Sequence, residues 1–495
     1  MRKTFVVRLG CAALAGSLLT LPALGATFNV ATPAQLISAV NSANGSAGPH
    51  TINLSTGTYN LSDELPVIAA NESITFQGGS ANPTDTVLHQ TLANSRFVET
   101  ALPTNNVNNI VLTFNNLTFD KGQGGDYGGG ALLVGGIGSS TTVSNCVFSN
   151  NRTSAGANVN AGGAIENSPN GNVTVLGCRF QGNSSAVYGG AIDFLNQTGG
   201  SGSLFVSNSV FISNSAAADG GAVKASTDSG TITIVDCNFE GNSTTGSGRG
   251  GAITHVQGAL TASYNRFFNN TATSHANGDT LWQAAGAGAC DATRNWWGAN
   301  SGPGGTDILA SGAVTSSPWL QLRHQPAVTD LGTRATTTLT ADLLGLSAGG
   351  SLTAVSLAGL PAVPANPATL FHNPVLGTLS AAATQFLHGQ ATATFNAGSL
   401  TGAAQADVSL DNQTVTAAMR LLNSSSQARA ISVTTGSVTI QFSGLPSNSY
   451  DIQRATDVRG PWATVDTQIA STDGSLTYTD PHPPAPMAYY RLHNH

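Results

Sequence analysis

Residues 142–151 read TVSNCVFSNN and residues 174–183 read TVLGCRFQGN. The frame returns as TFNNLTFDKG, FVSNSVFISN, TIVDCNFEGN and TASYNRFFNN. Its anchors are Phe119, Phe148, Phe180, Phe211, Phe239 and Phe267, and DATRNWWGAN puts Trp297 in the aromatic place. Successive anchors lie 28 to 32 residues apart. Three residues after the anchor stands Asn151, Asn183, Asn214, Asn242, Asn270 or Asn300, and only the first copy departs, with Gly122 there. Between anchors lies a second signature, Gly-Gly-Ala and an aliphatic residue, which ends at Leu132, Ile165, Ile192, Val223 and Ile253.

A unit of about thirty residues with two short alternating strands cannot bury its own apolar face, so it must stack on copies of itself. Coils of a parallel β-solenoid repeat at the strand spacing of about 4.8 Å, and like residues then form columns. The phenylalanines and Ile165, Ile192, Val223 and Ile253 are expected inside, with the asparagines as a corner ladder bonding backbone groups. The paired glycines suit a sharp or left-handed backbone at the turn. Cys146, Cys178, Ser209, Cys237, Asn265 and Asn295 fall two residues before their anchors, with Asn116 taken as the first-coil member. Small side chains at one inward position read as core packing. Parallel Cβ vectors are poorly placed for a disulfide torsion, so free thiols are expected at Cys146 and Cys178 in preference to a bridge; Cys237 lies two coils from Cys178.

These repeats resemble those of the chlamydial polymorphic membrane proteins, which pair GGA[ILV] with FxxN. The resemblance implies an all-β chain whose main domain is a right-handed parallel β-helix, over residues 27–318 and about nine or ten coils. The segment from Asn29 to Gly79 is similar to the start of many secreted β-helices, with an amphipathic capping helix at Pro33 to Ala43. CDATRNWWGANSGPGGTD resembles the last coil and exit of other secreted β-helices, with Trp296 and Trp297 covering the open edge. The outer-membrane barrel of the chlamydial proteins has no counterpart here, so self-anchoring is not expected.

Beyond Leu320 the repeat stops. Residues 319–430 alternate at period two with turns at Gly and Asn, and are similar to bacterial Ig-like β-sandwiches. Residues 431–495 resemble the small fibronectin-like modules that close many secreted bacterial proteins.

Composition narrows the function. Only 9% of residues are charged, against roughly 25% in an average soluble protein. Eighteen basic and 25 acidic residues give a net charge of -7, and the lysines are Lys3, Lys121 and Lys224. Without clustered cations, nucleic acid is excluded as a partner. Residues 1–26, with Arg2, Lys3 and Arg8 before an apolar run and small residues at Gly25 and Ala26, read as a signal peptide. No later run is long enough for a transmembrane helix. A secreted or cell-surface bacterial protein is expected.

One constellation could carry chemistry. The residue after GGA[ILV] is Leu133, Glu166, Asp193, Lys224 and Thr254 in successive coils. Strand alternation sends these outward if the aliphatic residue points in. Glu166, Asp193 and Lys224 are then the candidate catalytic residues of a polysaccharide lyase or glycoside hydrolase, which needs a base and a stabilised enolate or a spaced carboxylate pair. Calcium is the cofactor of that alternative, although three charges fall short of the six to eight oxygens that a calcium site takes. The preferred reading is a solvated ladder in which Lys224 offsets the two acids, so that no cofactor or metal is expected. His255 is expected inward, buried and neutral, and His493 and His495 form a short tail. The function expected is adhesion or polysaccharide binding without catalysis, with a polysaccharide or the cell-envelope surface as partner.

Overall fold

The computed structural model describes residues 25–494 except 47, 101–107, 126–127, 155–160, 168, 197–199, 275–277, 365–369, 423–426 and 473. Most of the expected signal peptide, and His495, lie outside the described residues.

A strand, Thr27–Val30, leads into the helix Pro33–Asn44, whose start is fixed by proline in its first turn and by the Thr32 hydroxyl, which accepts from the Gln35 backbone N–H. Its apolar stripe of Leu36, Ala39, Val40 and Ala43 joins the solenoid core, as the capping expectation required. A parallel β-solenoid of about eight turns follows, fewer than length alone suggested. The Phe-strand sheet has eight members, from Gly57–Leu61 to Arg266–Phe268, because the capping helix and the exit after Cys290 use chain without completing a coil.

The middle coils hold four short strands where two were expected; in one turn they are Ser140–Ser144, Val147–Ser149, Arg152–Thr153 and Ile165–Asn167. Single left-handed residues divide them. Asn116, Asn145, Gly177, Asn208 and Asp236 form one such column, and Lys121, Asn150, Gly182, Ser213 and Gly241 another, all at φ between 49 and 65°. Asn and Gly visit this region at least cost, which explains their density in the sequence. Segments of two or three residues are too short for alternation to reveal. The glycine pair of each coil has a further reason: a Cβ on Gly190 would meet the Gly221 carbonyl of the next coil at 2.0 Å.

The phenylalanines share one internal line. Ring centroids from Phe119 through Phe148, Phe180 and Phe211 to Phe239 are 4.7 to 4.9 Å apart, nearly parallel, and Phe267 and Trp297 continue the stack. Leu132, Ile165, Ile192, Val223 and Ile253 pair in register beside them, fully buried.

Behind the Phe strand runs the asparagine ladder. The Asn214 Oδ1 accepts from the backbone N–H and Nδ2 of Asn183, while its own Nδ2 donates to the Phe180 carbonyl and to Asn242 Oδ1. Asn151, Asn183 and Asn242 repeat the pattern, all 0% exposed. The cysteine column proves to be a second ladder and not mere packing. Cys178 N–H donates to Ser209 Oγ, Cys237 N–H to Asn265 Oδ1 and Asn265 N–H to Asn295 Oδ1, and the Cys146 thiol donates to the Phe114 carbonyl. Cys, Ser and Asn interchange there because each both accepts and donates. Asn116 is not its first member: it lies one residue earlier, in the left-handed column, and Leu117 fills the place, buried. All four described cysteines are buried and free.

After the solenoid, two four-stranded sheets face each other with a core of their own, including Leu339, Phe371, Phe395 and Val408. Two three-stranded sheets then enclose a smaller cluster around Ile440, Phe442, Tyr450 and Ile452. The tryptophans divide their roles at the junction. Trp297 closes the Phe stack, whereas Trp296 joins the second core and donates through Nε1 to Asp411 Oδ2 at 2.7 Å. Arg266, in the last Phe strand, grips the same carboxylate with Nε and Nη2 while its Nη1 reaches Glu240 at 2.8 Å. Asn300, which has no further coil below it, turns its amide to the sandwich: its Oδ1 accepts from Leu322 N–H and its Nδ2 donates to the Leu322 carbonyl.

Two outcomes follow for stability. Asn214→Ala leaves the Asn183 N–H buried without a partner and removes the side-chain bond to the Phe180 carbonyl, and is expected to cost about 2–3 kcal/mol in urea unfolding, whereas Asn172→Ala, at an exposed position, costs under about 0.5 kcal/mol. Asp411→Ala strands a buried guanidinium and is expected to cost about 3 kcal/mol, and the double variant with Arg266→Ala loses clearly less than the two single losses combined, as a double-mutant cycle will show.

Candidate functional site

The three charged candidates do share one column. Glu166 pairs in register with Leu133 on one side and Asp193 on the other, and Asp193 with Lys224, followed by Thr254 and Trp282. The expectation of a solvated ladder fails: Glu166 and Asp193 are 0% exposed and Lys224 8%. Alternation does turn them away from the Phe core, but the Gly-Gly corner folds backbone over them. Gly162 N–H donates to Glu166 Oε2 at 2.8 Å and Ala161 N–H to Asp193 Oδ2 at 3.3 Å. Lys224 Nζ lies 3.6 Å from Asp193 Oδ1 and 3.5 Å from the centre of the Tyr188 ring, which roofs it. Arg249 extends the strip, forked onto Asp219 and stacked 4.0 Å over Trp282.

The electrostatics follow from burial. Glu166 is held well above the usual carboxylate range, first by desolvation and then by the neighbouring Asp193. Asp193 is also raised by burial, while Lys224 pulls it back down. Glu166 Oε1 lacks a hydrogen-bond partner. The acids therefore pin corner backbone, and Lys224 compensates one of them. Among the described residues no cluster of three His, Cys, Asp or Glu could hold a metal ion. His255 is buried with Nε2 on the Gly258 carbonyl at 2.9 Å, and burial lowers its pKa, in keeping with a neutral ring. Burial raises the Cys178 and Cys237 thiols and pushes Cys290 up to about 12, so these sulfurs stay protonated. His493 lies in the last strand, opposite Asp451.

The accessible surface lies elsewhere, on the flat sheet between the two corners. Thr51, Thr75, Thr113, Thr142 and Thr174 stand in register, and beyond Phe205 the column resumes with Thr233 and Thr261. Their side chains are partly or fully exposed, so the wall presents a hydroxyl ladder at the coil repeat of about 4.8 Å. The signal was present in the sequence, because from Thr113 to Thr261 each member precedes its Phe anchor by six residues. Thr in a strand is so ordinary that the period passed without notice.

No family model matches the chain, and no curated protein matches it significantly. Among solved structures it is similar to the Yersinia pseudotuberculosis adhesin InvE, at 16% identity over 35% of this chain and 52% of that one, TM-score 0.16. It is also similar to the Escherichia coli adhesin FdeC, at 12% identity over 38% and 59%, TM-score 0.20, and to the D0-D1 domain of intimin, at 14% identity over 34% and 90%, TM-score 0.13. The chain spans between half and three fifths of the first two structures. At such TM-scores the likeness carries no argument, and the reading of function rests on the residues.

The buried acid gives a pH signature. Folded Glu166 keeps its proton to a higher pH than the unfolded chain, whose carboxyl titrates near 4.5. Its contribution to stability is therefore full below that pH and is lost as pH rises through the folded value. Glu166→Gln, which keeps an acceptor for Gly162 N–H and does not titrate, is expected to flatten the melting-temperature profile between pH 4.5 and 7 and to equal or exceed the wild type at pH 7, with the slope from Asp193 remaining. Parallel profiles for the two proteins would contradict the burial of this charge.

Proposed function

We propose that the chain is a non-catalytic binding protein of the cell surface or exterior, which presents its solenoid wall to a polysaccharide or to a cell envelope. The observation that carries this reading is the burial of Glu166, Asp193 and Lys224 beneath the Gly-Gly corners. A lyase or hydrolase must bring its acid, base and charge-stabilising groups within hydrogen-bond reach of the substrate, and these three are spent on backbone and on one another. On one wall the solenoid offers solvent a long and regular surface: the threonine column, flanked mostly by Ser, Asn and Gln with Val111, Leu176 and Val235 among them. The resemblance of the GGA[ILV] and FxxN repeats to chlamydial surface proteins supports the same reading, as do the signal-like residues 1–26 and the low charge. No helix among the described residues is long and apolar enough to cross a membrane.

The test is to incubate the protein with neutral and uronic-acid polysaccharides, with and without calcium, while following retention on the polymer, absorbance of unsaturated products and reducing ends. Retention without turnover is expected. Turnover that disappears in the Glu166→Gln protein would establish the lyase or hydrolase alternative instead, and neither retention nor turnover would point to a structural stalk.

A further inference from the structure

The threonine column is broken twice, by Phe205 and, three coils further on, by Asp291 between Thr261 and Thr315. At the position where Thr174 and Thr233 flank it in register, the chain places Phe205, which is 39% exposed although all six anchor phenylalanines of the solenoid are buried. Strand alternation fixes its direction, since Leu204 and Val206 on either side point into the core. Beside it, on the same face, a polar rung is already assembled. Asn172 Oδ1 accepts from Ser203 N–H at 2.9 Å, and Ser203 Oγ accepts from Thr231 N–H at 3.0 Å and from Thr231 Oγ1 at 3.2 Å. These bonds hold the three side chains in place while leaving the Asn172 amide N–H donors and outward hydroxyl capacity for a ligand.

We propose that Phe205, with the Thr174 and Thr233 hydroxyls above and below it and the Asn172–Ser203–Thr231 rung at its edge, is a binding site for a neutral polysaccharide chain. This rests on the binding function proposed above and names its ligand class and its place. A sugar ring combines an apolar C–H face with hydroxyls around its rim, so it asks for one aromatic platform ringed by fixed hydrogen-bond donors and acceptors. Around Phe205 the wall supplies that combination without a charge, the acid of the same column, Asp291, lying three coils away. The strands that carry it, Ser140–Ser144, Asn172–Leu176, Leu204–Ser207 and the outer parts of Val223–Val235 and Ile253–Ser263, contain no Lys, Arg, Asp or Glu from position 231 to 235 or 259 to 263 or in the three shorter strands. A uronate or sulfated chain would leave its charges unmatched there. A protein partner would call for a large contiguous apolar patch, whereas Phe205 stands between two hydroxyls with only the half-buried Leu176 and Val235 at its diagonals.

The experiment compares the full chain with Phe205→Thr, which completes the column at an exposed position, and with Phe205→Trp, which enlarges the platform. Probes are microcrystalline cellulose, chitin, and soluble xylan and mannan as neutral polymers, with polygalacturonate and alginate as acidic ones; circular dichroism melts and sedimentation velocity accompany each variant. Phe205→Thr is expected to melt as the wild type does and to weaken retention on at least one neutral polymer by about tenfold or more, while Phe205→Trp keeps or strengthens it. Equal retention by wild type and Phe205→Thr would overturn the site and leave the binding function standing. Retention on acidic polymers alone would overturn the ligand class, and no retention on any polymer would overturn both. Self-association of the wild type that Phe205→Thr abolishes, without polymer binding, would assign the face to a second copy of the chain and overturn the proposal.

Discussion

A buried asparagine that accepts from the backbone of one coil and donates to a carbonyl at the same corner holds the rest of this molecule in place. The corners of a solenoid leave N–H and C=O groups that no strand can pair, and burying them unpaired costs about 1–3 kcal/mol each. Asn151, Asn183, Asn214 and Asn242 meet that need with the same geometry, each tied to the next. The bond exists only if coils stack without slippage, so it fixes register, and register in turn lays phenylalanine on phenylalanine at 4.7 to 4.9 Å. Where the coils end, Asn300 applies the same amide to the sandwich backbone, so the junction is built from the repeat's own part.

The same register gives each outward column a uniform character, and the two columns on either side of a coil have opposite fates. The column after Gly-Gly-Ala carries charge, yet the corner roofs it, and its carboxylates are anchors for the N–H groups of Ala161 and Gly162. The column six residues before each phenylalanine carries hydroxyls and one phenyl ring up to Thr261, and its members are half-buried to exposed. In the corner column charge is internal and structural, whereas the threonine wall around Phe205 is neutral. That inversion argues for recognition by shape and hydroxyl contacts over acid-base chemistry.

Much of the fold was legible because columns write themselves into the sequence. Phenylalanine at about thirty-residue intervals and asparagine three places on gave the stack and the ladder, and the resemblance of the first segment to secreted β-helices placed the capping helix near Pro33. The four-strand coil was not legible, since two-residue strands such as Arg152–Thr153 show no alternation and the left-handed residues that divide the strands include Lys121, Ser213 and Asp236 beside Asn and Gly. The reading of the candidate site was right about which residues share a column and wrong about solvent. Period two tells which way Glu166 leaves its strand, but it says nothing of backbone returning over the side chain, a contact set by the corner and the next coil. The thiol column was misread for a related reason: Cys, Ser and Asn look like small packing residues until the neighbouring N–H is located. Of the Trp296–Trp297 pair, sequence could not tell which ring serves the solenoid and which the sandwich, because Asp411, the partner of Trp296, lies 115 residues away.

The central claim is that the coils stack in strict register, and pulsed electron–electron distance measurements on spin-labelled threonines of the exposed column test it most directly. Labels at Thr113 and Thr233, Thr113 and Thr261, and Thr75 and Thr261 span four, five and six coil intervals in the pairing found here. The account predicts narrow distributions centred near 19, 24 and 29 Å, each added coil contributing about 4.8 Å. Distances that are broad, or that fail to grow by one strand spacing per coil, would contradict it.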